Sequence, residues 1–339
     1  MKRFFFFSIF LLIFVATIIA QQPVVAKLPA LAMADPLTPG EASSVEEVFN
    51  NLLSEARNVR FINQLILDKG MRDYQFQPRD WADFEKTLAL GEVLNIDWAV
   101  RPQIQKKVWR NVFGTNESEI IVTAALLNIR TQKITCTTPL RLKDTNEARN
   151  KMGPLISEIT QIITSGTGGL TQPSQPTAVY KVGDRGPAGG WVFYDKGSYS
   201  DGWRYIEVAP METEKKLPRA KIVEKIKGTD SGGRIAMGTG KQYTEIILQS
   251  NQDYQIVKAA KICASLELNW FKDWFLPCHS ELNTLATIPT PQFGGPNLGG
   301  FNDGYYQVSS TYTGDDTVRF GSVNANRQDD LFVRAVRCF

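Results

Sequence analysis

Apolar residues in the first half of the chain follow two spacings, one typical of helices and one typical of strands. The segments at 43–57, 79–95 and 147–163 repeat apolar residues every three or four positions, which predicts amphipathic helices. Shorter runs rich in β-branched residues lie between them and predict strands: VVAKLPALAMA, VRFINQ, IDWAVRPQIQKKVW, SEIIVTAALLNIRTQ and KITCTTPLRLK. Helices alternating with strands around one sheet indicate an α/β or α+β domain.

The starts of these helices carry capping signals. Ser43 with Glu46, or Ser44 with Glu47, fits a capping box for the first helix. Asp80 is the expected cap of the second helix. Four apolar residues of that helix are expected to turn inward: Trp81, Phe84, Leu88 and Val93.

The second half has a different pattern, with short strands rich in Gly and aromatic residues. AGGWVFYDKGSYSDGWRYIEVAP predicts a hairpin, because Trp191, Phe193, Trp203 and Tyr205 alternate along its two runs. DYQIVKAAKICASLEL predicts a helix with Ile256, Ala259, Ala260 and Cys263 on one stripe, and DWFLPCHSELNTLATI turns into a second helix. The last 35 residues read as short strands separated by polar turns.

A Gly/Ser/Pro/Thr-rich stretch without apolar periodicity, SGTGGLTQPSQPTA, separates the two halves and predicts a flexible linker. The N-terminus, MKRFFFFSIFLLIFVATIIAQQ, combines a short basic region, an apolar run and a small residue at Ala20, as secretory signal peptides do. Cleavage is expected after Ala20, with Ala26 or an uncleaved anchor as the alternatives. The predicted organisation is a signal peptide at 1–20, an α/β domain at 22–166, a linker at 167–178 and a second domain at 179–339.

Composition and charge exclude several classes of function. The formal net charge is +3, which is far from the basic footprint of a nucleic-acid-binding protein. No segment after the leader is apolar for long enough to span a membrane. Four cysteines in an exported chain predict at least one disulfide. One histidine and no C-x-x-C spacing exclude an ordinary zinc site, and no cofactor is indicated.

The first half resembles the domain shared by the curli-secretion-channel family (CsgG) and the penicillin-binding-protein activator LpoB. The residues that carry the resemblance are VRFINQLILDKGMRDYQFQPRDW, ALGEVLNIDWAVRPQI and AALLNIRTQKI, within residues 22–166. Asn128 and Gln132 stand where that family usually has Asp and Gly, and the family's lipidated cysteine is missing. The resemblance implies an α/β sandwich that binds an envelope protein.

The second half resembles the C-terminal domain of bacterial collagen-like adhesins (the Lcl family), over residues 179–339. Five blocks carry the resemblance: VGDRGPAGGWVFYDKGSYSDGWRYIEVAP, GTGKQYTEIIL, AAKICASLELNWFKDWFLPCHSEL, GGFNDGYYQVSS and VRAVRCF. It implies a C-type-lectin-like α+β fold and a disulfide between Cys263 and Cys338, with Cys263–Cys278 as the alternative. Cys136 is then a lone buried thiol. Gln307-Val308 replaces the family's usual tryptophan before the Ser-Ser pair.

Several local motifs admit a chemical and a structural interpretation. Cys278 beside His279 is either a nucleophile with its base or a helix cap, and the cap is favoured because neighbours on a helix point about 100 degrees apart. MGTGKQ and GDRGPAGG resemble phosphate loops but lack their required residues or helix, so both are expected to be turns. Asp315-Asp316 and Asp329-Asp330 could bind calcium, and solvated turns are the favoured interpretation.

Aromatic and arginine side chains in the second half are the candidate ligand-binding residues. Aromatic rings stack on sugars, and the guanidinium fork binds sulfate or carboxylate in a bidentate manner. The candidates are Trp203, Arg204, Tyr305, Tyr306, Arg319 and Arg327, with Trp191 as a further aromatic.

The sequence therefore predicts an exported, non-enzymatic bacterial envelope protein, periplasmic or at the cell surface. Its first domain is expected to bind another envelope protein, and its second a glycan or a sulfated polysaccharide. A regulator of cell-wall synthesis is the alternative function. A formylglycine-generating type of enzyme, which needs a reactive Cys278, is the remote one.

Overall fold

The structure is a computed structural model of the whole chain. It describes residues 22–32, 37–110, 114–165, 179–218, 236–250, 254–288, 298–312, 315–320 and 331–339. The predicted signal peptide (1–20) and linker (167–178) lie outside the described residues. In the described parts, no helix combines the length and the apolar character that crossing a bilayer requires.

The first half is built on a mixed sheet of seven strands within the described residues. Their order is β3-β1-β4-β5-β6, with β2 also paired to β4 and β7 to β5. The strands are β1 (Val24–Lys27), β2 (Leu31–Ala32), β3 (Arg60–Phe61), β4 (Trp98–Arg110), β5 (Asn116–Asn128), β6 (Lys133–Cys136) and β7 (Leu140–Leu142). β1 is parallel to β3 and β4, whereas β4 and β5 form a long antiparallel pair.

Helices cover both faces of this sheet because the buried strands carry apolar side chains on both sides. One layer holds α1 (Pro39–Ser54), α4 (Ala148–Lys151) and α5 (Gly153–Ser165), which pack on Val25, Val100 and Leu126. The other holds α2 (Gln64–Asp73) and α3 (Phe84–Val93), which pack on Ala99, Ala125 and Leu127. The predicted helices and strands of this half are thus present.

Two helix starts differ from the prediction. Thr38, not Ser43 or Ser44, caps α1, since its hydroxyl accepts from the Glu41 N–H at 3.3 Å and the Glu41 carboxylate accepts from the Thr38 N–H at 3.0 Å. Asp83, not Asp80, caps α3, because a short 3₁₀ turn at Pro78–Ala82 precedes that helix.

One residue of α3 that was expected to face the core is exposed instead. Val93 is 47% exposed, whereas Trp81 and Leu88 are buried as expected. Val93 is the last residue of the helix, where the chain leaves the core.

The second half contains two sheets. Three antiparallel strands form β14-β9-β8, and four strands form β10-β13-β11-β12, within the described residues. The strands are β8 (Trp191–Ser200), β9 (Trp203–Val208), β10 (Lys215–Leu217), β11 (Gly304–Tyr312), β12 (Asp315–Phe320), β13 (Leu331–Val333) and β14 (Val336–Cys338). The helices are α6 (Gly240–Gln249), α7 (Gln255–Ala264) and α8 (His279–Thr287).

These elements confirm the predicted hairpin, helices and terminal strands. Ile256, Ala259, Ala260 and Cys263 form the buried stripe of α7, as the spacing predicts. The chain combines helices with mixed and antiparallel sheets, so it has an α+β fold.

Candidate functional site

Tyr305 and Arg319, two of the predicted ligand-binding residues, lie side by side in the four-stranded sheet. They are paired across β11 and β12, and Leu331 of β13 is aligned with Tyr305 on its other side. Leu217 of β10 is aligned with Leu331, so four side chains lie in one row on one face of the sheet. Arg319 is exposed, Tyr305 and Leu217 are half-buried, and Leu331 is buried. The structure therefore brings together two of the predicted residues on the adjacent strands β11 and β12.

Tyr306 belongs to the core and not to this surface. Its side chain is fully buried and its ring stacks on Phe332, with centroids 5.1 Å apart. Its hydroxyl donates to Glu214 Oε2 at 2.7 Å. Burial, with this carboxylate as the second cause, raises the pKa of Tyr306 well above its ordinary value. The prediction of Tyr306 as a ligand contact is wrong because strand alternation turns it to the opposite face from Tyr305.

Trp203 and Arg204 lie in the three-stranded sheet, apart from the Tyr305 row. Arg204 uses its fork on Asp195, with Nε–Oδ1 at 2.8 Å and Nη2–Oδ2 at 3.1 Å. The ammonium of Lys196 lies 3.9 Å from the centre of the Trp203 ring. Gly238 packs against the same ring. The six predicted residues thus do not form one site, and Arg327 lies outside the described residues.

Cys278 begins a helix, as the structural interpretation predicts. It is the N-cap of α8, and its backbone N–H donates to Glu281 Oε2 at 2.8 Å. The Cys278 side chain is fully buried. Burial, followed by the Glu281 charge, raises the pKa of its thiol far above the ordinary value. A nucleophilic thiolate is therefore disfavoured at this position.

Both phosphate-loop lookalikes have their backbone N–H groups occupied by carboxylates of the chain itself. Gly238 and Gly240 donate to Glu281 Oε1 at 2.8 and 3.2 Å. Ala188 and Gly190 donate to the two oxygens of Glu207 at 3.3 and 2.9 Å. Both carboxylates are fully buried. These N–H groups of the two loops are consequently used in internal hydrogen bonds and not offered to a phosphate.

The four cysteines, all within the described residues, are free thiols. The predicted Cys263–Cys338 bond and its alternative, Cys263–Cys278, are therefore absent. Cys263 packs among α7 residues in one core cluster, whereas Cys338 packs against a different cluster at the end of β14. Cys136 is half-buried, and burial raises its pKa to about 12.

In the described ranges, no three His, Cys, Asp or Glu side chains are grouped so that they could hold a metal ion. Asp329 and Asp330 lie outside these ranges. Asp315 begins β12.

An apolar surface on α2 was not predicted from the sequence. Leu65, Ile66 and Tyr74 are 76%, 55% and 57% exposed. Beside them lies an open cleft of about 580 Å³, lined by Asp68, Met71, Arg72, Gln75, Phe76 and Gln77. The run Leu65-Ile66-Leu67 contains the signal, because three consecutive apolar residues cannot all face inward from a helix.

No family model and no curated protein matches this chain. Part of it is similar to the LpoB C-terminal domain from Salmonella enterica, with 12% identity and a TM-score of 0.27 over 36% of this chain and 84% of that chain. A lipoprotein from Neisseria meningitidis is 13% identical, with a TM-score of 0.30 over 42% of this chain and 99% of that chain.

A PelC dodecamer from Paraburkholderia phytofirmans is 14% identical, with a TM-score of 0.25 over 40% of this chain and 86% of that chain. Scores of this size carry no inference about ligand, partner or activity. The resemblance of residues 179–339 to the adhesin family is tested by none of these matches and stays a prediction.

Proposed function

We propose that this is an exported, non-enzymatic envelope protein whose second half binds an anionic glycan, such as a sulfated polysaccharide, through the Tyr305–Arg319 surface. The observation that supports it is the cross-strand pairing of an aromatic residue with an exposed arginine on β12, the last strand of this sheet in the part of the chain that the structure describes. The leader sequence supports export. The buried, high-pKa thiol of Cys278 supports the non-enzymatic part of the proposal.

The chemistry of this surface suits an extended polyanion. A guanidinium fork binds sulfate or carboxylate through two parallel hydrogen bonds, and an aromatic side chain beside it contacts the apolar face of a sugar ring. Lys215 of β10 is also exposed and shares the sheet face of Leu217 and Arg319, three strands away. Lys215 therefore adds a second exposed cation at the other end of the same four-stranded sheet.

The test is retention of the full mature chain on immobilised heparin, eluted with a salt gradient. We expect Arg319→Ala to elute at lower salt than the parent, and Arg319→Lys to fall between them, because lysine keeps the charge but loses the fork. Arg149→Ala is the matched control, since Arg149 is an exposed arginine of α4 in the other half. An unretained parent, or equal shifts for Arg319→Ala and Arg149→Ala, would contradict the proposal.

A second candidate function is favoured by the exposed α2 surface of the first half. Leu65 and Ile66 are adjacent and strongly exposed, and contiguous exposed apolar surface on a protein often marks an interaction site. We propose that Leu65 and Ile66 contact an envelope protein partner, with a cell-wall transpeptidase as the candidate. This is the cell-wall regulation alternative.

Binding of purified transpeptidases to the immobilised chain tests this candidate. Ile66→Asp is expected to weaken binding at least tenfold, whereas Val179→Asp is expected to leave it unchanged. Val179 is a fair control because it is 56% exposed, almost the same as Ile66 at 55%. Equal effects of the two variants, or no binding by the parent, would argue against a partner at α2.

A further inference from the structure

The turn between α7 and α8 has an unusual backbone. Leu268 and Phe271 pair across it, and the two central residues, Asn269 and Trp270, have φ angles of 50° and 75°. A turn with two left-handed residues in succession normally carries Asn-Gly, since glycine has no Cβ to clash. Tryptophan in this conformation is strained and persists only where its surroundings hold it.

The surroundings that hold Trp270 belong to the first half of the chain. Its side chain is 2% exposed and packs in the cluster of Phe76, Trp81 and Leu88. Its indole N–H donates to the backbone carbonyl of Trp81 at 2.7 Å. A residue of the second half is thus part of the core of the first.

Charged residues bracket this insertion. Glu267 Oε1 accepts from the backbone N–H of Phe84, the first residue of α3, at 2.6 Å. Lys272 Nζ lies 2.9 Å from Glu85 Oε1. Both groups flank Trp270 and both bind the start of α3, so the turn is fixed on either side of the tryptophan.

A second group of contacts lies along the sheet of the first half. Fully buried Asp184 forms ion pairs with Lys107 and Arg141. Gln103 Nε2 donates to the Pro187 carbonyl at 2.6 Å, and the Arg185 N–H donates to Gln105 Oε1 at 2.8 Å. These contacts bind the loop before β8 to β4 and β7.

We propose that the Trp270 turn is an intramolecular clamp that locks the two halves into one rigid body. The clamp connects the α2 surface to the second half, because Trp270 and the cleft residue Phe76 contact the same Trp81. The left-handed backbone of Asn269 and Trp270 is the conformation of the docked state, and undocking would relax it. The clamp does not depend on which ligand either half binds.

The experiment cuts the full chain between the halves and asks whether they stay together. A protease recognition sequence replaces residues 170–175, and the cleaved protein is run on a size-exclusion column in dilution series. We expect the two fragments of the parent to elute together. On dilution, the fragments of Trp270→Ala should begin to separate at a protein concentration at least tenfold higher than the fragments of the parent do. Tyr74→Ala, an exposed aromatic of the first half, is expected to behave as the parent.

Trp270→Phe keeps the test decisive if Trp270→Ala fails to fold. It retains an aromatic ring but loses the donor to the Trp81 carbonyl, so its fragments are expected to dissociate several-fold more readily than the parent's. Parent fragments that separate on cleavage would overturn the clamp. So would Trp270→Phe and Trp270→Ala fragments that hold together as tightly as the parent's.

Discussion

The Glu281 carboxylate joins the starts of two helices through its bond to the backbone N–H of Cys278. Oε2 accepts from Cys278 at the start of α8, and Oε1 accepts from Gly238 and Gly240 at the start of α6. The first N–H groups of a helix have no partner within the helix, so a buried carboxylate between two such starts satisfies both.

Stability should depend on pH through this carboxylate. Burial raises the pKa of Glu281 from 4.5 to about 7, against the lowering effect of its backbone hydrogen bonds. A raised carboxyl pKa means that the folded state holds the proton more tightly than the unfolded state. Its contribution is therefore present below pH 4.5 and is lost as pH rises to about 7, by roughly 3 kcal/mol at most.

Urea denaturation of the parent and Glu281→Gln at several pH values measures this effect. The variant is expected to be less stable throughout, because both oxygens of the Glu281 carboxyl group accept backbone N–H groups, whereas the amide nitrogen of glutamine cannot accept a hydrogen bond. The gap between the two proteins should shrink as pH rises from 4.5 to 7. A gap that widens over this range would contradict the raised pKa. Glu207, which is also buried with a raised pKa, remains in both proteins and cancels.

Thiol titration should distinguish the free cysteines of the structure from the disulfide implied by resemblance. Cys263, Cys278 and Cys338 all have pKa values raised by burial, so the folded protein should react slowly with a thiol reagent at pH 8. After denaturation without reductant, four thiols per chain are expected. Two thiols instead of four would show that a disulfide forms in the exported protein.

Arg101 is a buried cation with unsatisfied donors. It is 9% exposed, and among the described residues neither its Nε nor its Nη1 has a hydrogen-bond partner. Burial lowers its pKa to about 10. Because buried donors without acceptors are destabilising, Arg101→Met is expected to raise the free energy of unfolding by about 1–2 kcal/mol. Arg149→Met, on the exposed face of α4, should change it by less than about 0.5 kcal/mol.

Thermal unfolding of the two variants measures the difference. A lower melting temperature for Arg101→Met, with Arg149→Met unchanged, would mean that Arg101 is satisfied in solution.

Tyr306→Phe should destabilise the second half. The change removes the hydroxyl that donates to Glu214, and that carboxylate also pairs with the buried Arg334 at 2.5 Å. A hydrogen bond to a charged group contributes about 1.5–3 kcal/mol, so a loss of this size is expected in chemical denaturation. Tyr74→Phe, at an exposed tyrosine, is the control and should be neutral. Equal stability of both variants would contradict the Tyr306 role.

Local sequence patterns predicted the structural features that depend on residues close together in the chain. The alternation of Trp191, Phe193, Trp203 and Tyr205 gave the hairpin, and Leu-Pro followed by Cys278 and Glu281 gave the start of α8. The start of α1 was misplaced because Ser43 and Ser44 imitate caps, whereas Thr38 before Pro39 is the true one.

What remained unpredictable depends on distant parts of the chain. Nothing local to Trp203 or Tyr305 reveals that they lie in different sheets, since strand pairing brings together residues far apart in sequence. Trp270 looks like an ordinary core residue, because its left-handed backbone is imposed by Trp81 and its neighbours.

The 189-residue separation between Trp81 and Trp270 sets an order of events during synthesis. At about 5–20 residues per second, the ribosome needs roughly 10–40 s to make the chain between them. Throughout that interval the Trp81 carbonyl and the Phe84 N–H lack the hydrogen-bond partners that Trp270 and Glu267 provide. The apolar site that holds the Trp270 indole is exposed to water during the same time. A first half without the second therefore exposes apolar surface that the complete chain buries.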